Sequence, residues 1–90
     1  MGLQTGKRII AEGGQVSLWD FNASALKEVA NTMPGVHTVC VNVGDHSAVV
    51  DAVRQSHAAM GDIDILVNCA GITGATATVQ DFPVDSWLQV

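Results

Sequence analysis

The chain has 90 residues, 48% of them hydrophobic and 14% charged, which describes one small globular unit and excludes a disordered tail. Nine acidic residues against four basic ones give a formal net charge of -5, which argues against a nucleic-acid or anionic-membrane surface, since little is present to neutralise phosphates. No apolar run exceeds three residues, far short of the ~20 that a membrane helix needs.

In chain order, Met1-Gly2-Leu3-Gln4-Thr5-Gly6 lacks the apolar core of a secretory signal, and Gly6 breaks the myristoylation pattern. Lys7-Arg8-Ile9-Ile10-Ala11 reads as the start of a strand, but only Glu12-Gly13-Gly14 separates it from the next one. A parallel crossover needs a dozen or more residues, so this segment either pairs as an antiparallel hairpin or is not a strand. Gln15 to Asp20 is the first clear strand. Asn22 then offers an N-cap, and Leu26, Val29, Ala30 and Met33 recur on one helical face before Pro34-Gly35 stops it.

Val36 to Asn42, rich in β-branched residues, is the next strand. Gly44 turns the chain and Asp45 caps a helix from about His46 to Met60, with Val49, Val53 and Met60 on its buried side, Val50 alongside, and Gly61 as its C-terminal glycine. Ile63 to Asn68 is a third strand, leading into the small-residue loop Cys69 to Gly74. A last helix starts near Pro83. Strands alternating with helices predict an α/β protein with a parallel sheet, in one domain over residues 1–90.

Cys40 and Cys69 are too few for a disulfide scaffold and read as reduced, buried thiols of a cytoplasmic protein. His37, His46 and His57 show no metal-ligand spacing. Trp19 and Trp87 read as packing residues, because no basic residues interleave them.

Asp64-Ile65-Leu66-Val67-Asn68-Cys69-Ala70-Gly71 resembles the strand-end Asn-Asn-Ala-Gly motif of the short-chain dehydrogenase/reductase family, with Cys69 in place of the second asparagine. Gly61 to Asp64, Ile72-Thr73-Gly74 and Trp87 are similar to the flanking family positions, and Thr5-Gly6-Lys7-Arg8 resembles the entry to its first strand. The resemblance implies a partial Rossmann-like, doubly wound parallel sheet whose first strand–helix unit is largely deleted.

It also implies a site. In such sheets ligands lie across the carboxyl ends of the strands. Asp20 falls at one such end, where a carboxylate can accept ribose hydroxyls and repel a 2′-phosphate, favouring NAD over NADP; a turn or helix-cap role is the alternative. Phe21 follows it. Asn42 and Val43 stand where the family packs beside adenine; Asn42 replaces the usual aspartate, its amide oxygen able to accept from the adenine amino group, and it also suits a strand-end turn. Asn68, Ala70 and Gly71 would lie under the ribose and pyrophosphate, where small residues let the backbone approach.

The family's Thr-Gly-x-x-x-Gly-x-Gly loop has no counterpart, since no two glycines are spaced i, i+2, and about twenty residues are expected to be missing between Ile10 and Glu12. The family's Tyr-x-x-x-Lys pair is also absent, because the chain has no tyrosine, so no catalytic residue is assigned. The expectation is therefore a fragment of an NAD-dependent oxidoreductase acting on a small secondary alcohol or ketone, akin to 3-oxoacyl-carrier-protein reductases or sugar and alcohol dehydrogenases, and inactive by itself. Relatives of this family are commonly homo-oligomers. An adenosine-binding or oligomer-pairing remnant without enzymatic activity is the alternative, and a receiver-like or flavodoxin-like domain would need an acidic cluster that Glu12 alone does not supply.

Overall fold

In the computed structural model, which describes residues 1–90, the fold is built on two parallel strands, β1 (Ser17–Asp20) and β2 (His37–Cys40). Their register runs from Ser17 opposite His37 to Asp20 opposite Cys40. Backbone bonds extend the ladder at both ends, from His37 N–H to Val16 O (3.0 Å) and from Val41 N–H to Asp20 O (2.9 Å). Helix α2 (Ala23–Thr32) makes the crossover between the strands. Its start is local chemistry: Asn22 Oδ1 accepts from Ala25 N–H at 3.0 Å. Leu26 and Met33 are buried as their spacing predicts, whereas Ala30 is exposed.

Helix α3 (His46–Met60) starts at Asp45, whose Oδ1 accepts from Ala48 N–H at 3.2 Å, and stops at Gly61, whose φ of +82° suits a residue without a Cβ. Asp45→Ala leaves that N–H without its cap. The expected loss is about 1 kcal/mol, or a Tm lower by about 4–8 °C in a thermal melt, and an unchanged Tm would refute the cap's role.

α3 lies on the strand face that carries Val39 and Val41, and these pack with Ala52, Trp19, Ala48 and Val49 into the main core. The buried side of α3 differs from the sequence expectation. Ala52 and Ser56 are the buried residues, while Val53 is 44% exposed and Val50 is also exposed. Small side chains let the helix axis approach the strands closely, while Val49 packs against the core beside them.

Residues Gly2–Ala11 form helix α1, which corrects the reading of Lys7 to Ala11, and of Thr5 to Arg8, as part of a strand. So short a connection excludes a parallel partner, and Gly2 and Gly6 on one helical face permit close packing of a helix instead. Gly6 is buried against the other face of β1, where a Cβ would come within 3.1 Å of Leu18 Cδ2. The non-strand alternative therefore holds and the hairpin does not. The helix also passes from Ile10 toward Glu12 without a break: Glu12 N–H bonds Arg8 O at 3.1 Å, and Arg8 pairs with the Glu12 carboxylate at 2.9 Å.

The expected third strand, Ile63 to Asn68, runs without a ladder partner, with Ile65 and Leu66 both 74% exposed. A strand exists only by pairing, and neither edge of the two-stranded sheet receives this segment. A 3₁₀ turn (Val79–Asp81) and helix α4 (Val84–Gln89) follow, with Pro83 as N-cap, one residue ahead of the helix. Trp87 stacks edge-on against Phe82 at 6.1 Å but stays largely exposed. The result is extended: the radius of gyration is 15.4 Å, against about 12 Å for a compact chain of this length.

Both cysteines are free, yet exposed and not buried as expected: Cys40 ends the short ladder and Cys69 lies in the unpaired segment. No helix is long and apolar enough to cross a membrane. The architecture is α/β, a partial Rossmann-like fold with α1 and α3 on opposite faces of a parallel strand pair.

Candidate functional site

Parallel pairing brings the carboxyl ends of β1 and β2 to the same side, where Asp20 and Asn42 sit on adjacent strand ends. Both are held by the same device. Asp20 Oδ1 accepts from Asn22 N–H at 3.1 Å, and Asn42 Oδ1 accepts from Gly44 N–H at 2.9 Å. These are Asx turns, so the turn role weighed for each residue is real. Each turn occupies one side-chain atom and leaves the other, Asp20 Oδ2 and Asn42 Nδ2, without a protein partner.

The two turns border a groove of about 1040 Å³. Six of the seven residues singled out in the sequence line it: Asp20, Phe21, Asn42, Val43, Ala70 and Gly71. Asn68 does not, although Cys69 to Ile72, which follow it in the same unpaired segment, do. Phe21, 79% exposed, lies at the mouth of the groove beside Asp20.

The floor was not legible in the sequence. Leu18 of β1, Leu26 and Val29 of α2, and Val41 after β2 supply an apolar base beneath the polar strand ends. The N-terminal turn of α1 closes one side, with a Cβ at Gly2 only 3.5 Å from Cys69 Cβ. Its first N–H groups have no partner within the helix and give that rim a partial positive charge. A helical reading of the glycines at positions 2 and 6 was the available signal.

Chemically, the groove offers a carboxylate acceptor, an amide donor one strand away, an apolar floor and a helix N-terminus. No group of three or more His, Cys, Asp or Glu side chains is placed to hold a metal. The donor set suits a ligand with hydroxyls, a flat apolar ring and an anionic group.

The family model described as short chain dehydrogenase matches residues 1–90. The 2-dehydro-3-deoxy-L-rhamnonate dehydrogenase (NAD(+)) of Sphingomonas sp. (strain SKA58) is 50% identical over 90 residues, covering 100% of this chain and 36% of that protein. Meso-2,3-butanediol dehydrogenase of Serratia marcescens is 33% identical over 92 residues, again 100% of this chain and 36% of the relative. The 2-(R)-hydroxypropyl-CoM dehydrogenase of Xanthobacter autotrophicus (strain ATCC BAA-1158 / Py2) is 37% identical over 78 residues, 81% of this chain and 31% of the relative. The chain thus spans about a third of the length of these relatives. No solved structure matches. The first match runs over 90 residues, the chain's own length, so nothing is skipped between Ile10 and Glu12 and the expected internal gap is not there.

Proposed function

From a chain that belongs to the short-chain dehydrogenase family, we propose that residues 1–90 form the dinucleotide-binding part of an NAD-dependent oxidoreductase. The whole protein would act on a secondary alcohol or the matching ketone. The names of two relatives, a deoxyrhamnonate dehydrogenase and a butanediol dehydrogenase, favour small hydroxylated substrates.

The observation that carries this reading is the Asp20 carboxylate at the end of β1, with one oxygen fixed by its turn and the other unpartnered in the groove. A carboxylate so placed accepts ribose hydroxyls and repels a 2′-phosphate, which favours NAD over NADP. Asn42 and Val43 would flank the adenine, the amide donating through Nδ2. Ala70 and Gly71 would leave room for the backbone to approach the ribose and pyrophosphate, with Asn68 joining them once its segment is paired. The N-terminal turn of α1 would face the anionic pyrophosphate. Bound NAD supplies the hydride acceptor or donor. The chain has no tyrosine, so the tyrosine-dependent proton exchange of the family is not carried by these residues.

Titration of NAD and NADP against the parent and Asp20→Ala tests the assignment. Loss of a charge-assisted pair of hydrogen bonds should weaken NAD binding by about 10-fold or more and narrow the preference over NADP. Equal NAD affinity in the two proteins, or a parent that prefers NADP, would overturn the role given to Asp20.

A further inference from the structure

Away from the groove, four polar side chains meet where α3 crosses the amino-terminal ends of the strands. Ser17 Oγ lies 2.9 Å from His37 Nδ1 and 2.8 Å from Ser56 Oγ. Trp19 Nε1 donates to Ser56 Oγ at 2.9 Å and, less closely, to Ser17 Oγ at 3.2 Å. Ser56 is 1% exposed, and the other three are half-buried. We propose that Ser17, Trp19, Ser56 and His37 form a one-way hydrogen-bond chain that ties α3 to the strands while His37 Nδ1 is an acceptor, and that protonation of His37 reverses its Ser56–Ser17–His37 part, leaving the Trp19 indole as a donor to Ser56.

The direction follows from donor chemistry. An indole N–H only donates, so Ser56 Oγ accepts from Trp19. The Ser56 hydroxyl then donates to Ser17 Oγ, and the Ser17 hydroxyl donates to His37 Nδ1. Every hydroxyl is satisfied only with a neutral imidazole that carries its proton on Nε2. A protonated ring turns Nδ1 into a donor, and Ser17 must then accept from it and donate to Ser56. The Ser56 hydroxyl loses its acceptor within the set. Buried from water, it is left with the carbonyl of Ala52, one turn back, in competition with the helix's own bonds.

No carboxylate compensates. The ion pairs of the molecule are Arg8–Glu12 and Arg54–Asp51, His57 lies 3.6 Å from Asp62, and none of these contacts includes His37. The charged or titratable groups on the helices packed against β2 are Lys27 and Glu28 of α2, and His46, Asp51, Arg54 and His57 of α3, all of them exposed. The group of α3 that reaches the Ser17–His37 pair is the Ser56 hydroxyl.

The test follows the Trp19 indole N–H by NMR in a Trp87→Phe background as the pH is lowered through the titration of the His37 ring. The indole resonance should shift with the same midpoint as the His37 ring protons. Ser17→Ala removes the link, so its indole should stay fixed while His37 still titrates. His37→Asn supplies an acceptor near the Nδ1 position that does not titrate, and should hold the indole at its neutral-pH position. An indole resonance in the parent that is unmoved across the His37 titration overturns the proposal, whatever the variants do. So does one that moves equally in Ser17→Ala.

Discussion

Placing a carboxylate at Ala52 is expected to abolish the cooperative melt, whereas the same change at the adjacent Val53 should leave stability within about 0.5 kcal/mol of the parent. Ala52 is 0% exposed, closed in by Val39 and Val41, and an aspartate there would meet neither water nor a cation. Burying an unpaired ion costs several kcal/mol even after relaxation, a large share of what holds a chain of this size. Val53 is 44% exposed, so its substitute stays solvated. Circular dichroism melts of Ala52→Asp and Val53→Asp decide the matter. The reverse ranking would mean that α3 is rotated by about 100° from the orientation described.

Amides of Ile65, Leu66 and Val67 are expected to exchange with solvent at the rate of free peptide, while those of Val39 and Val41 are protected about 10³-fold. The contrast follows from hydrogen bonding. Val41 N–H bonds Asp20 O at 2.9 Å, but no backbone bond or ladder partner holds the segment from Ile63 to Asn68. The magnitude assumes about 4–5 kcal/mol of global stability, the low end for a globular chain of this length. Hydrogen exchange read by mass spectrometry or NMR measures both sets at once. Equal protection would show that the segment is paired, and its dependence on protein concentration would tell whether a second copy supplies the partner strand.

What the sequence made legible was mostly local chemistry. Asn22, Asp45 and Gly61 mark helix ends through bonds or dihedrals confined to a few neighbouring residues, and each stands where its residue type implied. The end of β1 at Asp20 was legible, while β2 stops at Cys40, two residues short of the expected Asn42; Asp20, Phe21, Asn42 and Val43 all line the groove. Readings that depended on distant partners fared less well. Ile9-Ile10 suits a helix or a strand equally, and its helical state is fixed by the close approach of Gly6 to Leu18. On α3, hydrophobicity favoured Val53, yet packing distance favoured Ala52 and Ser56. Ile63 to Asn68 has the composition of a strand, but composition cannot supply a neighbour. Asn68, within that segment, is outside the groove.

The polar chain under α3 also bears on how so short a sheet keeps its alignment. A ladder of four residue pairs has few hydrogen bonds with which to resist slippage, and a shift by one residue turns every side chain to the opposite face. For β1, such a shift would carry Ser17 and Trp19 away from Ser56 and place Leu18 under α3. Leu18 would leave the groove floor at the same time, and Asp20 would turn with it. Each face therefore rejects the error independently, one through unmet hydrogen bonds and the other through a misplaced leucine and carboxylate. The pairing behaves as a lock with two keys.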